Sequence, residues 1–129
     1  MHKKRILIVE DEESLLKLET ILLTVKGYEV RGALTGEEAM KILAVESFNL
    51  ILLDIMLPDG DGFDICRQIK DSPDHVSVPV VMLTARKSPE DKDRGVAAGA
   101  SAYLTKPFKS AVIVEVIEQL IAGTPVAGD

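Results

Sequence analysis

Three acidic positions, a hydroxyl and an amine stand in this 129-residue chain where short apolar runs give out. Glu10-Asp11 follows Ile6-Leu7-Ile8-Val9, and Asp54 follows Asn49-Leu50-Ile51-Leu52-Leu53. Thr84 closes Val80-Val81-Met82-Leu83, and Lys106-Pro107 follows Ser101 to Thr105. Brought together, Glu10, Asp11 and Asp54 repel one another, and a cation relieves that repulsion. Hard oxygen ligands with positions left for water suit Mg²⁺ better than zinc. A carboxylate beside such an ion and a lysine is also a place where a phosphoryl group can be accepted, because that transfer needs positioning and charge neutralisation above all. Thr84 would then hydrogen-bond a phosphoryl oxygen. Singly, each group has a plainer reading: acidic pairs after strands are commonly solvated loop or helix-start charge, and a lone Thr or Lys is often structural. The conjunction favours chemistry, most of all at Asp54, because solvation does not explain a charge at the end of so apolar a strand.

The elements that must position these groups alternate strand and helix five times. Strands are expected at Ile6 to Val9, Tyr28 to Leu34, Asn49 to Asp54, Val78 to Thr84 and Ser101 to Thr105. Helices are expected at Glu12 to Lys26, from Thr35 as cap to near Glu46, Phe63 to Asp71, Glu90 to Ala98 and Lys109 to Ile121. The first helix turns Leu15, Leu18, Leu22 and Val25 to one face, with Gly27 just past its end. Thr35-Gly36-Glu37-Glu38 has capping-box spacing. Asn49 to Asp54 is apolar as a central strand covered on both faces should be. The last helix carries a stripe of Val112, Ile113, Val116, Ile117, Leu120 and Ile121, with Val114 set off it as a partner-facing apolar residue. Five such units imply an α/β fold, a doubly wound five-stranded parallel sheet with five helices, and chemistry at the carboxyl ends of the strands.

Composition narrows the function classes. Fifteen Lys and Arg against 21 Asp and Glu give a formal charge of −6, which argues against nonspecific nucleic-acid binding and against an anionic membrane surface. Proteins and small cations are the expected partners. A single cysteine, Cys66, makes no internal disulfide, and with His2 and His75 it offers too few soft ligands for structural zinc. A reducing cytoplasm fits. The four apolar residues after Arg5 are too few for an export signal, and no run reaches membrane-span length. Residues 1–122 are read as one domain and 123–129 as a C-terminal tail or truncated linker.

At the chemistry-bearing residues the sequence resembles the receiver domain of two-component response regulators. Ile6-Leu7-Ile8-Val9-Glu10-Asp11-Glu12 is similar to the first of the family's four blocks, and Leu52-Leu53-Asp54-Ile55-Met56-Leu57-Pro58 with Asp61-Gly62 to the second. Pro79-Val80-Val81-Met82-Leu83-Thr84-Ala85 and Tyr103-Leu104-Thr105-Lys106-Pro107-Phe108 are similar to the third and fourth. The likeness runs from Lys4 to about Ile121 and is specific because all four blocks stand in register. It implies a flavodoxin-like strand order of 2-1-3-4-5. It also implies that Asp54 accepts a phosphoryl group from a phosphohistidine of a sensor kinase or phosphotransfer protein. Asp11 and Asp54 would be direct Mg²⁺ ligands, Glu10 would act largely through water, and the Met56 backbone carbonyl would be the remaining protein ligand; Mn²⁺ is an alternative ion. Lys106 would pair with the phosphoryl oxygens and precede a cis peptide bond to Pro107. Thr84 and Tyr103 would form the switch pair that remodels the face of the fourth helix, fifth strand and fifth helix, for a downstream protein or fused output domain. Such a domain catalyses only its own phosphoryl transfer and autodephosphorylation.

Two departures matter. Many transcription-factor receivers pair charges across a dimer through acidic residues before the fifth-strand aromatic and an Arg in the last helix; here stand Ser101-Ala102 and Val112, Val114 and Val116. Met56 and Arg86, two positions after Asp54 and Thr84, lie where the family varies and where side chains influence hydrolysis. Other readings fare worse. A haloacid-dehalogenase-type phosphatase would use a strand-end Asp nucleophile but needs a second Asp where Met56 stands. A nucleotide or flavin carrier needs a glycine-rich loop where Glu10-Asp11-Glu12-Glu13 stands. A phosphorylation-independent interaction module of receiver fold does not require the full set of Asp11, Asp54, Thr84 and Lys106. Phe63 and Phe108 are read as core or loop packing.

Overall fold

Apolar runs of four or five residues become strands and segments of helical period become helices, in the expected alternation. A computed structural model describes residues 3–123, so 124–129 of the expected tail lie outside the described residues. The order is β1 (Arg5–Val9), α1 (Glu13–Val25), β2 (Glu29–Ala33), α2 (Gly36–Leu43), β3 (Leu50–Leu53), β4 (Met56–Leu57), β5 (Gly60–Asp61), α3 (Gly62–Asp71), β6 (Val80–Thr84), α4 (Pro89–Ala97), β7 (Ala102–Thr105) and α5 (Ser110–Ile121). Five parallel strands form one sheet, β2-β1-β3-β6-β7, while β4 and β5 make a separate antiparallel hairpin. The five main strands therefore have the 2-1-3-4-5 order. β3 is central and every residue of it is buried. The pairings Val9 with Leu53, Leu53 with Met82 and Thr84 with Thr105 bring the strands to an end along one edge.

Alternation along each strand divides the core in two. Leu7, Val9, Ile51, Leu53, Val80 and Met82 face α2 and α3, packing on Ala39, Ile42, Phe63 and Cys66. Ile6, Ile8, Leu50, Leu52, Val81 and Leu83 face α1 and α5, packing on Leu23, Ile113, Val116 and Ile117. Each large side chain so buried contributes about 1.5–3 kcal/mol, and this anchors the rigid base from which the strand-end residues project.

Local chemistry sets the helix starts. Thr35 Oγ1 accepts the Glu38 N–H at 3.0 Å, Asp61 Oδ1 the Phe63 N–H at 2.8 Å and Ser88 Oγ the Asp91 N–H at 3.1 Å. Gly27 and Gly99, at φ +99° and +100°, close α1 and α4 in the left-handed conformation that suits glycine. α2 ends at Leu43 rather than near Glu46, whose carboxylate instead bridges Arg5 and Arg31.

Two expected faces are corrected. α1 turns Leu16, Glu19 and Leu23 inward, with Leu16 against Gly32 of β2, while Leu18 and Val25 are exposed and Leu15 and Leu22 half-buried. Adjacent leucines at 15–16 and 22–23 permit two stripes one residue apart, and the buried one is disguised by a Glu. Val114 is buried with Ile113, Val116 and Ile117, whereas Val112 is exposed. α5 is rotated so that 113, 114 and 117 share the inner face, and Val114 lines a groove against Leu22 of α1.

Candidate functional site

Glu10, Asp54 and Lys106 come from three different strand ends and meet because the sheet register brings those ends level. Lys106 Nζ donates to Glu10 Oε1 and to Asp54 Oδ2, each at 2.8 Å. Glu10 and Asp54 are buried, Asp11 is exposed, and one carboxylate oxygen from each of the three lies within 4.8 Å of the others. Burial pushes the Glu10 carboxyl up from its ordinary range, against the pull of the Lys106 hydrogen bond. Burial also works against the Lys106 charge, but the hydrogen bonds to Asp54 and Glu10 outweigh it and hold the ammonium above its usual range. The Lys106–Pro107 bond is cis. Asp54 opens onto a cleft of about 250 Å³ lined by Asp11, Glu12, Met56, Ala85 and Lys106. One ammonium thus stands against three acidic side chains at the mouth of a cleft. The side-chain ligand atoms gathered there are carboxylate oxygens, which fits a hard divalent ion.

The family model described as the response regulator receiver domain matches residues 6–118. The chain belongs to this family. Over 105 residues the receiver is 44% identical to the alkaline phosphatase synthesis transcriptional regulatory protein PhoP of Bacillus subtilis, covering 81% of this chain and 43% of that protein. It is 39% identical over 116 residues to the response regulator PleD of Caulobacter vibrioides, covering 90% of this chain and 26% of that one. The crystal structure of a CheY-like response regulator receiver domain protein from Methanospirillum hungatei matches with a TM-score of 0.90 at 33% identity, over 95% of this chain and 96% of that one. The chain spans about half or less of the length of curated relatives that it matches.

Within the receiver, Thr84 and Tyr103 lie beside the acidic cluster rather than in it. Thr84 is fully buried, and its Oγ1 accepts the Arg86 N–H at 3.4 Å. Tyr103 is half-buried, and its hydroxyl donates to the Arg86 carbonyl at 2.8 Å. Both switch candidates therefore grip the loop that follows β6. Arg86 reaches on to Asp91 of α4 at 2.7 Å. Phe63 is buried in the core as expected, with the Arg94 guanidinium 4.2 Å above its ring, and Phe108 packs at the edge of the α1–α5 side.

Three residues near the site make contacts that the sequence reading does not assign. Glu19 is buried on the inner face of α1, with neither oxygen hydrogen-bonded. Its signal was a charge interrupting an apolar stripe. Asp59, in the turn of the β4–β5 hairpin, accepts two amides of α2. Asp61 caps α3 and also receives Arg94 of α4 at 3.3 Å. No local pattern announces contacts 23 and 33 residues away.

Proposed function

We propose that this receiver is a phosphorylation-activated switch in which Asp54 accepts a phosphoryl group from a phosphohistidine of a sensor kinase or phosphotransfer protein. The observation that carries the reading is the shared Lys106 ammonium, 2.8 Å from both Glu10 and Asp54 and beside Asp11. An Asp54 carboxylate oxygen bonds to phosphorus as the P–N bond breaks, and the electron pair of that bond returns to the imidazole nitrogen of the donor. Asp11, Asp54 and the Met56 carbonyl would hold Mg²⁺, or Mn²⁺ in its place, with Glu10 acting through water; the ion would neutralise charge on the phosphoryl oxygens. Lys106 pairs with a further phosphoryl oxygen from the other side, so that the transferring group sits between positive charges.

Once formed, the phosphoryl group adds about −1.5 to −2 charge in place of a carboxylate. Thr84 Oγ1, which accepts the Arg86 N–H, turns to donate its own hydroxyl hydrogen to a phosphoryl oxygen. Because Tyr103 is tied to the same loop through the Arg86 carbonyl, the change is passed to α4, β7 and α5, the face offered to a downstream protein or a fused output domain. The receiver works on itself alone, through phosphoryl uptake and autodephosphorylation. A cytoplasmic location accords with this chemistry, and no helix among the described residues is long and apolar enough to cross a membrane. Incubation with acetyl phosphate as a small donor, read by intact mass with and without chelator, tests the reading.

A further inference from the structure

Pro58 and Asp59 form the two-residue turn between β4 and β5, strands of two residues each. A two-stranded ribbon so short has no stability of its own in water, so its shape depends on anchors. At its base the Gly62 N–H donates to the Ile55 carbonyl at 2.7 Å. Only glycine fits there, since a Cβ would lie 2.5 Å from the Asp54 carbonyl oxygen and from Ile55 Cα. At its tip Asp59 Oδ1 accepts the Gly36 N–H at 2.9 Å and Oδ2 the Glu37 N–H at 2.8 Å. These are opening amides of α2, which have no partner inside the helix. They hold the Asp59 carboxyl below its usual range, so the clamp is ionised at neutral pH. Met56 lies between the two anchors.

We propose that Asp59 is a positioning residue for the cation site: by clamping the hairpin tip to the start of α2 it fixes the backbone of Met56, whose carbonyl is the one main-chain ligand. The inference rests on the cation site proposed above. Asp59 touches neither ion nor phosphoryl group and acts only through the hairpin. The position reads as a loop residue in sequence because its partners belong to another element.

Thr35 supplies the control. It caps the same helix through Glu38 without touching the hairpin, so Thr35→Ala weakens α2 and leaves the clamp in place. The experiment is titration of the wild type, Asp59→Ala, Asp59→Asn and Thr35→Ala with Mg²⁺ alone, followed by amide NMR shifts, with Tm measured for each. Asp59→Ala is expected to weaken Mg²⁺ binding about tenfold, the low end for loss of an outer partner of a metal ligand, and to broaden the Met56 amide. Asp59→Asn retains one acceptor oxygen and should recover part of the loss, and it carries the comparison if Asp59→Ala does not fold. Thr35→Ala should lower Tm and leave Mg²⁺ affinity at the wild-type value. Unchanged affinity in Asp59→Ala, or an equal loss in Thr35→Ala, overturns the positioning role while the cation site stands. A wild type that binds no Mg²⁺ overturns both.

Discussion

Tyr103 donates its hydroxyl to the backbone carbonyl of Arg86 at 2.8 Å, which ties β7 to the loop after Thr84 and seats the ring against α4. Gly95 of α4 leaves the space: a Cβ there would lie 2.8 Å from Tyr103 Cδ2 and 3.1 Å from Met82 Sδ. Gly95→Ala is therefore expected to drive the ring out and break the bond to Arg86, at a cost of about 1–3 kcal/mol for overpacking. Helix propensity alone argues the other way, by about 1 kcal/mol in favour of Ala. Urea unfolding decides the sign, and tyrosine emission reports the ring, since the chain has no Trp and only Tyr28 besides. A more stable Gly95→Ala protein with unchanged emission would contradict this packing.

Glu19 makes stability depend on pH in an unusual direction. Burial, with the negative charge of Glu10 added, pushes its carboxyl from 4.5 up to about 8. Between those values the folded chain holds a proton that the unfolded chain releases, so stability falls as pH rises through the window. The loss is complete above about 8 and is on the order of a few kcal/mol. Glu19→Leu, which fills the site with apolar volume, should be more stable than wild type, by a margin that grows between about pH 6 and about pH 9. Urea midpoints at both pH values check it; a constant margin would contradict the assignment.

What could be read from the sequence follows physical range. β1, β3 and β6 were legible because strands buried on both faces are apolar throughout, and Glu10, Asp11, Asp54 and Lys106 because each stands where such a run or its successor ends. Thr35 was legible as a cap because its partner is three residues away. The buried face of α1 was not, since Leu15–Leu16 and Leu22–Leu23 satisfy two stripes and Glu19 conceals the true one. The β4–β5 hairpin was not, because two-residue strands have no period to detect.

Lys106 occupies the place of a second positive charge at the site, and its removal should split two properties that usually move together. Lys106→Ala leaves Glu10 and Asp54 uncompensated, so Mg²⁺ should bind more tightly as the only remaining neutraliser. Phosphoryl uptake should nonetheless slow by about tenfold or more, because a phosphoryl oxygen loses its partner. Calorimetric Mg²⁺ titration and the rate of adduct formation from acetyl phosphate measure the two. Weaker Mg²⁺ binding, or undiminished uptake, would contradict the role given to the ammonium.

Whether Asp54 is the phosphoacceptor is decided by intact mass spectrometry of the wild type and Asp54→Asn after incubation with acetyl phosphate. The expected result is a single phosphoryl adduct on the wild type that requires Mg²⁺, disappears with EDTA and is absent from Asp54→Asn. Beryllofluoride, a phosphoryl mimic that is not hydrolysed, should shift the Tyr103 resonances of the wild type alone, which covers an adduct too short-lived to weigh. Full phosphorylation of Asp54→Asn, or a wild type that neither gains mass nor responds to beryllofluoride, would contradict that role for Asp54.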